Sequence, residues 1–168
     1  MNVQDLETLF DYGYWANKHF FAVISQVSTE QFTQSLGGSY GSLRNTLVHM
    51  LSAEWGWLER CGGPARGPML NAADYPTLAA VVDKWRPVEG WMREFLSKRR
   101  EEDLERRIEF SIGDGPKHAM PMAEVLHHSA NHGVHHRGQL ALLLRMLGYT
   151  PGNVDILIYY GQRSTVAA

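Results

Sequence analysis

Five of the eight histidines in this chain lie within ten residues of a segment that has the apolar period of an α-helix. They are His127, His128, His132, His135 and His136. Pro121 suits the first position of such a helix, and Gly148 suits the position just past its end. Residues four apart lie one turn apart on one helix face, which is the arrangement a transition metal needs from two ligands on one helix. The segment therefore predicts a helix that supplies metal ligands.

The apolar stripe of this helix selects which of the five histidines face inward. On an ideal helix of about 100° per residue, the direction midway between His132 and His136 matches that of Val125 and Leu143. We therefore predict that His132 and His136 face the core together.

The other three histidines project differently from the same helix. His127 points away from the core and His135 lies at the edge of the stripe, so we expect both to face solvent or an interface. His128 is intermediate, and we expect it to support a ligand by hydrogen bonding more than to bind a metal itself.

His49 is the candidate for a third ligand from another helix. It lies in the middle of a second helical pattern, with the small residues Thr46 and Ala53 on its own face. A lone histidine there would most often be a core imidazole with its hydrogen bonds satisfied. Three imidazoles in one apolar interior, however, leave ring nitrogens unpaired at roughly 1 to 3 kcal/mol each, and a divalent cation satisfies them together. We predict a metal bound by His49, His132 and His136, with one position left open for water or substrate.

Helical periods occur in four places along the chain, and they predict an all-α fold. The stripes run over residues 6–27, 43–58, 81–96 and 121–147. Pro87 interrupts the third stripe, but the period resumes in register, so we expect one helix that is kinked at Pro87 rather than ended by it. A short fifth helix is expected over residues 154–160.

The segments between the stripes are long before the third and fourth helices. Residues 107–112 alternate polar and apolar side chains, and the turn residues 113–116 follow, which indicates a small hairpin or an extended crossover. We predict a single domain over residues 1–168, folded as a four-helix bundle with long connections.

Composition excludes several classes of function. The formal net charge of −2 leaves no basic excess for nucleic acid. The single cysteine, Cys61, excludes an internal disulfide, and the chain start does not resemble an export signal, so a cytoplasmic protein is expected. The longest apolar run, residues 140–147, is too short for a membrane span and contains Arg145.

Two other metal signatures are absent from the sequence. A zincin protease needs Glu directly after the first helical histidine, but Gly133 follows His132. A ferritin-like di-iron bundle needs two Glu-x-x-His motifs, and Glu124 with His127 supplies one. Peptidase and dinuclear carboxylate chemistry are both disfavoured.

The run NHGVHHRGQLALLLRMLGYTP resembles the signature of the DinB-like family, metal-dependent bundle proteins that include damage-inducible proteins and relatives of bacterial thiol transferases. Further similarity lies in the first helix at Tyr14-Trp15-Ala16-Asn17, in Leu47-Val48-His49 with Glu54 and Trp57, and in Asp155 with Tyr159-Tyr160. The resemblance spans nearly the whole chain. It places the family's metal ligands on His49, His132 and His136, and it implies a DinB-like four-helix bundle, a zinc or nickel ion and a homodimer.

The open metal position supports three hypotheses of function. A cation held by neutral imidazoles would bind a low-molecular-weight thiol as thiolate and direct it at a small-molecule electrophile, as the resemblance to bacillithiol and mycothiol transferases implies. Activated water at the same position would make the protein a hydrolase. A stress-related dimer that binds metal or a small ligand without catalysis is the third.

Two residues beside the predicted ligands have expected roles of their own. We expect Arg137 either to pair with Glu54 or Asp155 or to bind substrate. We expect Gln139, which falls near the metal face, to orient a ligand.

Overall fold

Helices make up most of the computed structural model, which describes residues 1–164. They are α1 (Val3–Ile24), α2 (Thr29–Thr33), α3 (Leu43–Arg60), α4 (Leu78–Ser97), α5 (Met122–Met146) and α6 (Ile156–Ser164). Short 3₁₀ helices span Ala72–Asp74 and Glu101–Glu105, and the strands β1 (Arg107–Ser111) and β2 (Lys117–Pro121) form a two-stranded sheet.

The four long helices α1, α3, α4 and α5 form a bundle. Both α1 and α3 pack against α4 and α5, so α1 and α3 lie diagonally across the bundle. Long connections precede α4 and α5, as predicted. The all-α four-helix architecture with a C-terminal helix is confirmed. Among the described residues, no helix is long and apolar enough to span a membrane.

Helix termini follow from local side-chain chemistry. Ser28 and Gln31 form a reciprocal capping box that starts α2. Gly148 follows the last turn of α5 with φ +86°, a conformation that glycine adopts without steric cost. Pro121 lies just before α5 rather than at its first position, because it is also the last residue of β2 and keeps an extended ψ of 144°.

The helix α4 runs through Pro87 without a break, as its resumed period predicts. Pro87 and Asp83, whose carbonyl loses its helical hydrogen bond, are both exposed. Water can therefore satisfy the Asp83 carbonyl.

The alternating segment forms a hairpin, the first of the two structures expected. Ile108 lies opposite Met120, and Phe110 lies opposite His118. Because directly paired residues share a face of the sheet, these four side chains point to the same side. Ile108 is buried in the core.

The last helix begins at Ile156 rather than at residue 154. The Asp155 carboxylate accepts a hydrogen bond from the Leu157 amide at 2.9 Å, and so caps the helix from outside. Val154 is instead held in the preceding loop, where its carbonyl accepts a hydrogen bond from the Tyr12 hydroxyl at 3.0 Å.

Candidate metal centre

Three histidines from two helices meet in the groove between α3 and α5. The Nε2 atom of His132 lies 3.0 Å from Nε2 of His49 and 3.0 Å from Nε2 of His136. One ligand atom from each ring lies within 4.8 Å of the other two. The structure thus brings together His132 and His136, which were selected by helical projection, and His49, which was selected from its place in the second stripe.

The direction of the two helices explains this meeting. His49 on α3 contacts His132 and His136 on α5, whereas Trp57, further along α3, contacts the earlier residue His128. The two helices therefore run antiparallel, and side chains at i and i+4 on each helix line the same groove.

Gln139 fixes the tautomer of His136. Its Oε1 lies 2.8 Å from Nδ1 of His136, and an amide oxygen only accepts, so Nδ1 carries the proton. The Nε2 atom of neutral His136 then presents a lone pair to the other two rings. Gln139 has the ligand-orienting position expected of it.

Tyr40 is a member of the site that the sequence analysis did not identify. Its ring stacks on His49 with centroids 4.0 Å apart and planes 19° apart, and its hydroxyl lies 3.0 Å from Nε2 of His49. Tyr40 precedes α3 in a Gly- and Ser-rich segment that has no helical or strand period. Its position depends on the path of a loop, which a periodic pattern does not predict.

The three histidines are neutral at physiological pH. Burial, with a smaller contribution from His136, lowers the pKa of His49 to about 4. Burial and then the neighbouring histidines lower the pKa of His132 to about 3, and burial also lowers the pKa of His136. Neutral imidazoles have the lone pairs that metal coordination requires.

The donor set suits a divalent cation. Three Nε2 atoms converge, and the proton of His136 lies on the far side of its ring. In the structure these nitrogens contact one another and the Tyr40 hydroxyl, so the fit to a cation rests on the convergence of three neutral donors rather than on an unpaired lone pair. A cation at about 2.0 to 2.1 Å from each nitrogen would satisfy all three.

The remaining histidines of α5 lie outside this group. His127, His128 and His135 are exposed, as predicted for the first and the last. The His128 ring lies 5.9 Å from that of His132, and Nε2 of His135 contacts Nε2 of Gln139 at 3.0 Å. Within residues 1–164, no carboxylate or cysteine joins the three ligand atoms.

Arg137 lies next to His136 but points toward α1. Its side chain is 4 % exposed, its Nη1 donates to Oδ1 of Asn17 at 3.2 Å, and its guanidinium lies over the Tyr12 ring. The expected pairing with Glu54 or Asp155 is wrong, because neither carboxylate reaches the guanidinium. An amide partner 120 positions away in the sequence takes that place.

Glu54 is held by neutral hydrogen-bond donors. Its carboxylate accepts from the Tyr14 hydroxyl at 2.8 Å and from Nε1 of Trp85 at 3.2 Å. Burial raises the pKa of Glu54 to about 7, although both hydrogen bonds and the charge of Arg137 oppose the rise. Glu54 therefore links α1, α3 and α4 rather than reaching the histidines.

Comparison with known proteins agrees with this architecture. The chain is 24 % identical over 165 residues to Protein DinB of Bacillus subtilis, which covers 95 % of this chain and 96 % of that protein. It is also 24 % identical over 148 residues to the uncharacterized protein YizA of the same organism. That match covers 88 % of this chain and 91 % of YizA.

A solved structure shares the fold. The crystal structure of a DinB-like protein from Bacillus cereus superposes with a TM-score of 0.69, at 22 % identity, over 88 % of this chain and 95 % of that one. The model of the DinB family matches residues 1–164. The chain therefore belongs to the DinB family.

Proposed function

We propose that this protein binds a zinc or nickel ion through His49, His132 and His136 and uses it to activate a low-molecular-weight thiol for transfer to a small-molecule electrophile. The observation that carries the proposal is the convergence of three neutral Nε2 atoms between α3 and α5. Three protein ligands leave a coordination position free, which is the pattern of catalytic rather than structural zinc sites.

The protein residues have distinct roles in this proposal. Gln139 holds the His136 ring so that Nε2 faces inward, and Tyr40 holds the His49 ring by stacking on it. A divalent cation in this site would lower the pKa of a bound thiol, so that the proton leaves to solvent and the sulfur is presented as a nucleophile. Such a sulfur would form its bond to the electrophilic atom of the substrate as the leaving group departs with its electron pair.

Among the residues that the structure describes, no carboxylate belongs to the three-histidine group. This favours a bound thiol over bound water as the nucleophile. Metal-dependent hydrolases commonly use Glu or Asp as a general base to complete the activation of water. The three-histidine group contains no acidic member, and Glu54 is occupied by Tyr14 and Trp85. A thiol needs no such base, because coordination itself deprotonates it.

A hydrolase is the second candidate, and the Tyr40 hydroxyl is the observation that favours it. This hydroxyl lies 3.0 Å from Nε2 of His49, at the edge of the candidate site. A phenol there can donate a hydrogen bond to a developing oxyanion. Replacement of Tyr40 by Phe would lower the rate of hydrolysis by about 100- to 1000-fold while leaving metal content unchanged.

The proposal is tested by the metal content of protein purified without an affinity tag. We expect about one zinc or nickel per chain in the parent and near none in His132→Ala. His127→Ala is the matched control, because His127 is an exposed histidine of the same helix, and its metal content should equal that of the parent. Equal metal in His132→Ala and the parent would overturn the site.

The thiol is tested separately on protein loaded with cobalt. A thiolate on cobalt gives a strong charge-transfer absorption in the near ultraviolet, and we expect it to appear on addition of 2-mercaptoethanol and to be absent in His132→Ala. Protein that binds cobalt but shows no such band would contradict thiol activation and leave the hydrolase or a non-catalytic metal-binding protein.

A further inference from the structure

A slot of about 180 Å³ opens between the hairpin and the first turns of α5, next to Trp57 of α3. Its lining is almost entirely apolar and includes Phe110, Ile112, Met120 and Val125. Trp57 meets both Phe110 and His128 edge-on, with ring centroids 5.1 Å apart in each case. The slot thus has aromatic walls, and its polar residues are His118, Glu124 and His128.

The hairpin extends an apolar face beyond the protein core. Ile108, on that face, is 3 % exposed and completes the core, whereas its partner Met120 is 39 % exposed and Ile112, just past β1, is 68 % exposed. Contact of large apolar side chains with water costs free energy, which is regained when a ligand or another surface covers them. Two apolar side chains of the slot wall, Ile112 and Met120, therefore extend beyond the core.

The slot continues the groove that contains the three histidines. On α3, Ala53 and Trp57 follow His49 at steps of four residues, and on α5, His128 precedes His132 by four. The rings of Trp57 and His128 are 5.1 Å apart, and those of His128 and His132 are 5.9 Å apart. The slot therefore begins about one helical turn, some 5 to 6 Å, from the candidate metal position.

We infer that this slot binds an aromatic ring of the electrophilic substrate and holds the substrate's reactive atom toward His132. The inference rests on the proposed function for its account of what the bound group reacts with, although binding of a ring in the slot does not depend on the metal. The hairpin then becomes the element that determines which substrates the protein accepts.

The size of the slot limits the ring. An apolar cavity of about 150 Å³ holds a benzene molecule, so a slot of about 180 Å³ accommodates one six-membered ring with a small substituent. Aromatic walls favour a flat aromatic ring over a flexible chain. Two aromatic rings in contact are stabilised by more than the free energy of the apolar area that they bury.

The first experiment uses toluene and needs no metal. We expect toluene added to metal-free protein to shift the NMR signals of the Val125 methyl groups, and to bind equally well to His132→Ala. The double variant Ile112→Ser/Met120→Ser removes two exposed side chains, so it should fold, and it should weaken toluene binding about fivefold. Leu157→Ser, at a residue that is 73 % exposed on α6, is the matched control and should bind toluene like the parent.

The second experiment uses two hydroxamates on zinc-loaded protein, because a hydroxamate binds zinc whether or not the protein uses a thiol. We expect 3-phenylpropanohydroxamate to bind about tenfold tighter than acetohydroxamate in the parent, and the double variant to reduce this preference about fivefold. A preference that is unchanged in the double variant would overturn the inference.

The two experiments separate this inference from the proposed function. Failure of toluene to shift the Val125 signals would overturn the slot even if one zinc per chain is found. Toluene binding together with an inability to bind zinc would overturn the proposed function and, with it, the assignment of the ring to a metal-activated substrate.

Discussion

Two of the three candidate ligands are each held by a neighbouring side chain that is not itself a candidate ligand. Tyr40 stacks on His49, Gln139 bonds to His136, and His132 lies between the other two rings. Such supporting contacts decide whether lone pairs converge, because an imidazole free to rotate or to change tautomer loses affinity for a metal. The chemistry of the site thus depends on residues that need not touch the metal.

Removal of the Gln139 acceptor tests this dependence. Gln139→Leu leaves Nδ1 of His136 without its partner, and we expect zinc affinity to fall by about ten- to a hundredfold. Gln139→Glu keeps an acceptor at the same position and should retain the affinity. The measurement is competition for zinc with a chromophoric chelator. His135→Ala controls for the second contact of Gln139, and a loss of affinity there as large as in Gln139→Leu would contradict the account.

Glu54 makes stability depend on pH. Its pKa is about 7 in the folded protein and near 4.5 when unfolded, so below pH 4.5 both states are protonated. As pH rises from 4.5 to 7, the unfolded chain loses this proton and the folded protein keeps it, so the contribution of Glu54 to stability falls. Over that interval we expect the free energy of unfolding of Glu54→Gln to rise by about 1 to 3 kcal/mol relative to that of the parent.

Urea unfolding of metal-free protein at pH 5 and pH 8 measures this difference. Glu109→Gln, at an exposed position on β1, is the control and should change little between the two pH values. A difference between parent and Glu54→Gln that does not vary with pH would show that Glu54 ionises alike in both states.

At the scale of elements, α5 combines two tasks on different faces. One face carries His132 and His136 to the groove with α3, and another carries Arg137 to Asn17 of α1. Gly133 makes the second contact possible, because a Cβ there would lie 3.0 Å from Nη1 of Arg137. The helix therefore keeps a glycine in its interior despite the lower helix propensity of that residue.

Two glycine replacements test this reading of α5. At Gly90 in α4 nothing lies within 4 Å of an added Cβ, so Gly90→Ala should stabilise the protein by about 0.5 to 1 kcal/mol. An added Cβ at residue 133 would press on the guanidinium of Arg137, which is 4 % exposed. We therefore expect Gly133→Ala to bring no such stabilisation and to lower the melting temperature. Thermal unfolding measures both. Equal stabilisation by the two variants would show that Arg137 moves freely.

Helical period was enough to predict the bundle and the meeting of three histidines, because inward-facing positions repeat along each helix. Period gave no information on Tyr40, whose place is set by a loop, or on the partner of Arg137, where an amide replaces the expected carboxylate. Alternation over residues 107–112 predicted an extended segment, but the slot depends on how far β1 and β2 project past the core. These features arise from packing between distant segments.

At the scale of the whole molecule, α5 also has an apolar outer side. Val134, Leu142 and Met146 are 44 %, 60 % and 55 % exposed on the side turned away from the bundle core. Large apolar side chains that are exposed along one helix can belong to an interface. We expect a second copy of this chain to cover them, which accords with the homodimer implied by the family resemblance.

Mass measured by light scattering after gel filtration tests the dimer. The parent should elute with the mass of two chains, and Leu142→Glu, which places a charge in the interface, should elute as one chain with unchanged helix content. Leu157→Ser should remain dimeric. A monomeric parent at micromolar concentration would contradict the expected assembly.

The central claim is that three imidazoles hold a metal that accepts a thiol. X-ray absorption at the zinc edge of zinc-loaded protein, with and without 2-mercaptoethanol, measures both parts at once. The account predicts three imidazole ligands at about 2.0 Å and, on addition of the thiol, one sulfur at about 2.3 Å in place of a lighter atom. Fewer than three imidazoles, or a ligand shell that the thiol leaves unchanged, would contradict it.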